Sequence, residues 1–165
     1  MNIKHTALAA ALTLTGLMST NAFAAESKTV NVANIASQTA FKLAMESVHQ
    51  CHSQGYRVST TVVDTAGRVV AQLRADNAST HTLESSRKKA FTAVSMKQPT
   101  ANLMKTISEK PILQPLKDMD DNLLLLAGGI PLKVNNQIIG AIGVGGAPGG
   151  HLDVACAEAA IKKVL

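Results

Sequence analysis

RVSTTVVDTAGRVVAQL, residues 57–73, decides the class of fold. Residues 57–63 are rich in Val and Thr, and residues 68–73 return to apolar, β-prone side chains. Between them Asp64-Thr-Ala-Gly67 supplies turn formers, with a glycine able to take positive φ, so the stretch reads as a hairpin. Upstream, Ala40, Phe41, Ala44, Met45, Val48 and Cys51 recur at helical spacing. Gly55 stands where a left-handed cap ends that helix, which the pattern predicts over residues 37–53.

Downstream, Leu83, Ala90, Phe91 and Val94 mark a second helix, with Thr80 or Thr82 as candidate N-cap and Pro99 beyond its end. Arg87 falls inside its apolar stripe. Residues 100–122 carry Pro111 and Pro115 and a weaker pattern, read as a short helix and then a loop. Residues 123–127, 132–134 and 137–144 read as three more strands, the last two joined by Asn135-Asn136, a pair that tolerates positive φ. A closing helix over residues 152–163 shows one face to be Val154, Ala157, Ile161 and Val164. The expectation is an α+β domain, a five-stranded and mainly antiparallel sheet covered by helices.

The N-terminal residues have a different character. Lys4, an apolar run over residues 6–18 and the small-residue ending Ala22-Phe23-Ala24 fit a secretory signal peptide over residues 1–24. The run is too short for the roughly 20 residues that cross a bilayer. The reading is therefore a periplasmic or extracellular protein, a single domain over residues 25–165, with no membrane span after cleavage. Removing residues 1–24 leaves 141 residues, enough for one core, and 15 basic against 11 acidic residues, scattered rather than clustered. Phe41, Tyr56 and Phe91 are the aromatics that remain, which with no basic stripe argues against nucleic acid. Export would allow Cys51 and Cys156 to bond. Helical geometry sets Cys156 about 100° from the apolar stripe of its own helix, so the pairing stays open.

Two classes of residue carry chemistry. Gly128-Gly129-Ile-Pro131 and GVGGAPGG at residues 143–150 let backbone approach a ligand closely, with Gly145 and Gly146 leading toward a helix start; tight turns are an equally good reading. Histidines His81 and His151 precede helices, and His52 sits at a stripe edge, so each is a candidate iron ligand, in the order His81, His151, His52. Arg74, Asp76, Arg87 and Lys89 bracket one loop and helix. An arginine in an apolar stripe needs a buried carboxylate, Asp64 or Asp153, or a ligand anion. No CxxC, CxxCH or HExxH occurs, so zinc, covalent haem and zincin chemistry have no sequence support.

VVDTAGRVVAQLRADNA at residues 62–78, KAFTA at 89–93, GGIPL at 128–132 and GAIGVGGAPGGHLDVACAEAA at 140–160 together resemble the GlcG/HbpS-like family. That resemblance implies a profilin-like α/β/α fold, homo-oligomers and haem binding in secreted members, sometimes with slow haem degradation or signalling to a sensor protein. Other members take different small ligands. Asp76-Asn77-Ala78 and Val144-Gly145-Gly146 depart from the family's usual Asp-Gly-Ala and Val-Ser-Gly. The expected activity is haem binding rather than classical enzymology, with a ligand-binding regulatory module as the alternative. Arg74, Arg87 or Lys89 would face the propionates, between the loop of residues 74–82 and the glycine-rich segment that leads to His151.

Overall fold

The computed structural model describes residues 28–165, so the signal peptide assigned to residues 1–24 lies outside the described residues. Helix α1 (Ser37–Ser53) buries Ala40, Leu43, Ala44, Ser47 and Cys51. This stripe is rotated from the expected one, and Phe41 and Met45 face outward. Strands β1 (Ser59–Val63) and β2 (Val69–Arg74) form the hairpin. Its turn is closed by the Asp64 carboxylate, which accepts from the amides of Ala66 and Arg68, each at 2.9 Å, and Gly67 takes φ 77°. Asp64 is thereby committed to the turn.

After α2 (His81–Ser95) come α3 (Thr100–Glu109) and a 3-10 segment (Pro111–Asp118), then β3 (Gly129–Val134), β4 (Gln137–Gly145) and α4 (Gly150–Val164). Asn135 and Asn136 turn β3 into β4 at φ 49° and 65°, the mirror-image turn geometry that hairpin twist favours. The sheet runs β2-β1-β4-β3 and every neighbouring pair is antiparallel. It has four strands, not the five expected.

Residues 123–127 are the missing strand. Leu123, Leu125 and Ala127 are buried while Leu126 is exposed, so the alternation is real. The Leu124 amide bonds to a helix side chain instead of to a strand, donating to Thr92 Oγ1 at 2.8 Å, and just beyond the segment Gly129 N, at the start of β3, donates to Thr100 Oγ1 at 2.9 Å. Alternating burial needs only two different sides, and here Leu123 and Leu125 pack with Leu103 of α3.

The helices make an α/β/α sandwich. On one face α1 and α4 cover Val58, Val62, Leu132, Ile142 and Val144. On the other, α2 covers Val63 and Ala141 with Ala90, Ala93 and Val94. That second interface is partly polar: Ser59 Oγ bonds Thr82 Oγ1 at 2.7 Å and Thr61 Oγ1 bonds Ser86 Oγ at 2.8 Å. It is also close. A Cβ on Gly143 would strike the Ser86 carbonyl and one on Gly129 the Lys89 carbonyl, so these glycines let α2 lie directly on the sheet.

Cys51 and Cys156 are bonded, with Cα atoms 5.4 Å apart and both residues buried, and the bond ties α1 to α4. Helix α4 buries Asp153, Cys156, Ala157 and Ala160, so of the expected stripe Ala157 is fully buried and Ile161 and Val164 pack half-buried against the core. Small residues on that face allow close packing on α1, which turns Cys156 inward. No helix among the described residues is long and apolar enough to cross a membrane.

Candidate functional site: a cleft between the starts of α2 and α4

His81, Ser85 and Lys89 lie four residues apart along α2 and form one stripe into a cleft of about 610 Å³. The loop from Gly146 and the first turn of α4 bring His151, Asp153 and Val154 to the same cleft. Ala101 and Met104 of α3, with Leu126 and Pro148, supply apolar wall. His81 and His151 are exposed at this opening, whereas Lys89 and Asp153 are 5% and 2% exposed.

Those two charges hold each other. Lys89 Nζ donates to Asp153 Oδ2 at 2.7 Å and to the Val144 carbonyl at 2.9 Å. Asp153 Oδ1 accepts the Ala147 amide at 3.0 Å. Burial pushes the Asp153 carboxyl above its ordinary value, and the Lys89 charge, its hydrogen bond and the Ala147 amide oppose that shift. A Cβ on Gly128 would lie 2.9 Å from Lys89 Nζ, so Gly128 makes the slot for the ammonium. The pair thus pins the end of β4, the glycine-rich loop and the start of α4 to α2.

The sequence candidates separate. His81, His151, Lys89, Asp153 and Gly146 share the cleft. Gly128, Gly129 and Gly145 are buried under α2, where Cβ atoms would meet Lys89 or Ser85. His52, Arg74 and Asp76 line a different hollow of about 250 Å³ beside Val48 and Leu73. Arg87 pairs with Glu84 at 2.9 Å on the outer side of α2, and its hydrogen bond holds the Glu84 carboxyl below the usual range. Its partner is therefore one turn away on its own helix, neither Asp64 nor Asp153. The buried cation of α2 is Lys89, two residues on. A larger hollow of about 700 Å³ lies along α1 and α4 and contains none of the candidates.

Ser85, Met104 and Leu126 are among the cleft residues not read from the sequence. Ser85 was findable, because it completes the spacing of His81 and Lys89. Met104 and Leu126 reach the cleft through the fold of residues 100–127, where the pattern was weak.

Residues 35–162 match the family described as "Haem degrading protein HbpS-like". The chain belongs to the HbpS-like family. It is similar to the double-mutant HbpS of Streptomyces reticuli, at 32% identity and TM-score 0.78, covering 96% of this chain and 99% of that one. A crystal structure of a PduOC:haem complex matches at 25% identity and TM-score 0.72, over 79% of this chain and 94% of that one. Among curated proteins, an uncharacterized 15.0 kDa protein of Citrobacter freundii is 28% identical over 72% of this chain and 84% of its own length.

Members of such a family raise the question of whether a haem suits this cleft. No three His, Cys, Asp or Glu side chains among the described residues converge as a bare ion requires. A metal already held by a macrocycle needs only one or two axial donors, and His81, His151 and Met104 are donors of the right kind. The walls are apolar, as a porphyrin face requires. Lys89 is the one Lys or Arg among the lining residues and is already engaged by Asp153, so the lining offers no uncommitted cation for propionates.

Proposed function

We propose that this protein binds haem, or a related small molecule, in the cleft framed by His81 and His151, and that it works outside the cytoplasm. The observation that carries the reading is that two imidazoles from separate helix starts meet at one apolar-walled cleft in a chain of this family. A related structure is described as a haem complex. Export is supported by the leader pattern of residues 1–24 and by the buried Cys51–Cys156 bond, since disulfides persist in oxidising compartments. Self-association is a further part of the proposal, supported by exposed Phe41, Met45 and Val69; light scattering that gives a monomer at micromolar concentration would remove it.

Titration of the purified protein from Ala25 onward with haem tests the binding. A saturable Soret shift is expected, weakened in a His81→Ala/His151→Ala double variant. Haem that keeps its free spectrum with the parent protein overturns the proposal.

A further inference from the structure

Residues 101–122, which carry α3 and the 3-10 segment, bond only to themselves and their immediate flanks. Among the described residues, every hydrogen bond and ion pair they make ends within residues 99–123. Lys105 pairs with Glu109, the Gln114 side-chain amide donates to the Ile107 carbonyl at 3.1 Å, and Asp120 accepts from Asn122. None of these bonds reaches α2, α4 or the sheet.

The polar ties to the domain lie just outside this stretch. On one side Thr100 Oγ1 accepts the Gly129 amide at 2.9 Å, and on the other the Leu124 amide donates to Thr92 Oγ1 at 2.8 Å. Beyond these ties the chain turns at Lys97, φ 55°, and at Gly128, φ 129°. Between residues 101 and 122 the one buried side chain is Leu103. It sits in a small cluster with Leu123 and Leu125, around which Phe91, Met96, Ile107 and Leu116 are partly covered. Helix α3 has ten residues and no side-chain cap, and a helix of that length is marginal without packing. The 3-10 segment buries none of its eight residues, and its bonds are of poorer geometry than those of an α-helix. Sparse burial and self-contained bonding mark a unit that opens without the rest of the fold. Its inner side meets the cleft, where Ala101 and Met104 form wall.

We propose that residues 101–122 are a hinged flap, which opens on the ties at Thr100 and Leu124 and closes over a ligand in the cleft. This rests on the reading that the cleft binds haem or a related small molecule, and it adds the route by which that ligand enters and leaves. A ligand that touches Ala101 and Met104 favours the closed state, and the open population sets the rate of release.

Hydrogen exchange followed by mass spectrometry, on the disulfide-intact protein from Ala25 onward with and without ferric haem, tests the flap. In the free protein the α3 amides are expected to exchange at least about 10-fold faster than those of the central strand β4. Bound haem slows α3 by a similar factor. Leu103→Ala, outside the cleft lining, speeds α3 exchange and haem release together by roughly 30-fold, the scale of truncating a buried leucine, with the Soret position unchanged. Amides of α3 as slow as those of β4 in the free protein overturn the flap, whether or not haem binds. A Soret complex that leaves α3 exchange unchanged overturns closure over the ligand while haem binding stands. So does a Leu103→Ala variant that speeds exchange but not haem release. No Soret complex in the parent overturns the haem reading and the closure with it.

Discussion

Lys89→Met removes the ammonium at the floor of the cleft and keeps an apolar stem of similar length. Asp153 then retains one donor, the Ala147 amide at 3.0 Å, in a position 2% exposed. Breaking one side of a buried ion pair leaves an uncompensated charge and costs about 3–5 kcal/mol. At about 2–4 °C per kcal/mol for a domain of this size, the melting temperature falls by roughly 6–20 °C. The loss depends on pH. Asp153 already sits above its ordinary value of 3.8 through burial, and without Lys89 it rises further. Between 3.8 and that raised value the folded state holds a proton that the unfolded chain has released, so stability falls as pH rises through the window. The variant's deficit is therefore largest at pH 7 and shrinks on acidification toward 3.8. Asp153→Asn added to Lys89→Met recovers part of the loss at pH 7, because the amide buries no charge. Urea and thermal melts followed by far-UV circular dichroism at a series of pH values measure the loss, its pH dependence and the recovery. A Lys89→Met loss below about 1 kcal/mol, or one that is flat with pH, would refute the claim that this pair holds the loop.

Reduction of Cys51–Cys156, or Cys51→Ala with Cys156→Ala, is expected to cost about 2–5 kcal/mol, since the bond closes a long loop; equal urea midpoints with and without reductant would contradict it. Gly143→Ala should destabilise by about 1–3 kcal/mol even though its backbone suits alanine, because the added methyl meets the backbone of Ser86 and Ala90, which cannot move aside alone. An unchanged thermal melt would show that α2 can lift off the sheet. Intact mass of exported protein should place the N-terminus at Ala25 or beside it, and retention of Met1 would remove the signal-peptide assignment.

Local chemistry made much of this protein legible in one dimension. The hairpin at residues 57–73 was readable because Asp64 and Gly67 act on their own backbone, and the Asn135-Asn136 turn for the same reason. Helices α1, α2 and α4 followed from spacing, and the family resemblance from four motifs in order. Which stripe each helix buries was not legible. In α1 and α4 the buried faces are built, apart from Leu43 and Asp153, from Ala, Ser and Cys, which hydrophobic ranking undervalues beside Phe41, Met45 and Val154. Residues 123–127 alternate like a strand yet pair with none, and the Leu124 amide bonds instead to Thr92 Oγ1, a partner 32 residues away in sequence.

The site divides in the same way. The sequence by itself determined which residue types were available: two loop histidines, a run of glycines, and charges along α2. Only the tertiary structure decided their grouping, because pairing is a matter of distance between separate elements. Lys89 and Asp153 are 64 residues apart and meet at 2.7 Å, while Arg87, two residues from Lys89, turns out to Glu84 on the other side of the helix. A helix advances about 100° per residue, so neighbours in the chain face different worlds. Gly128, Gly129 and Gly145, read from the sequence as either ligand-approach or tight-turn glycines, make the room that α2 and its lysine occupy, a role that exists only once helix and sheet are in contact.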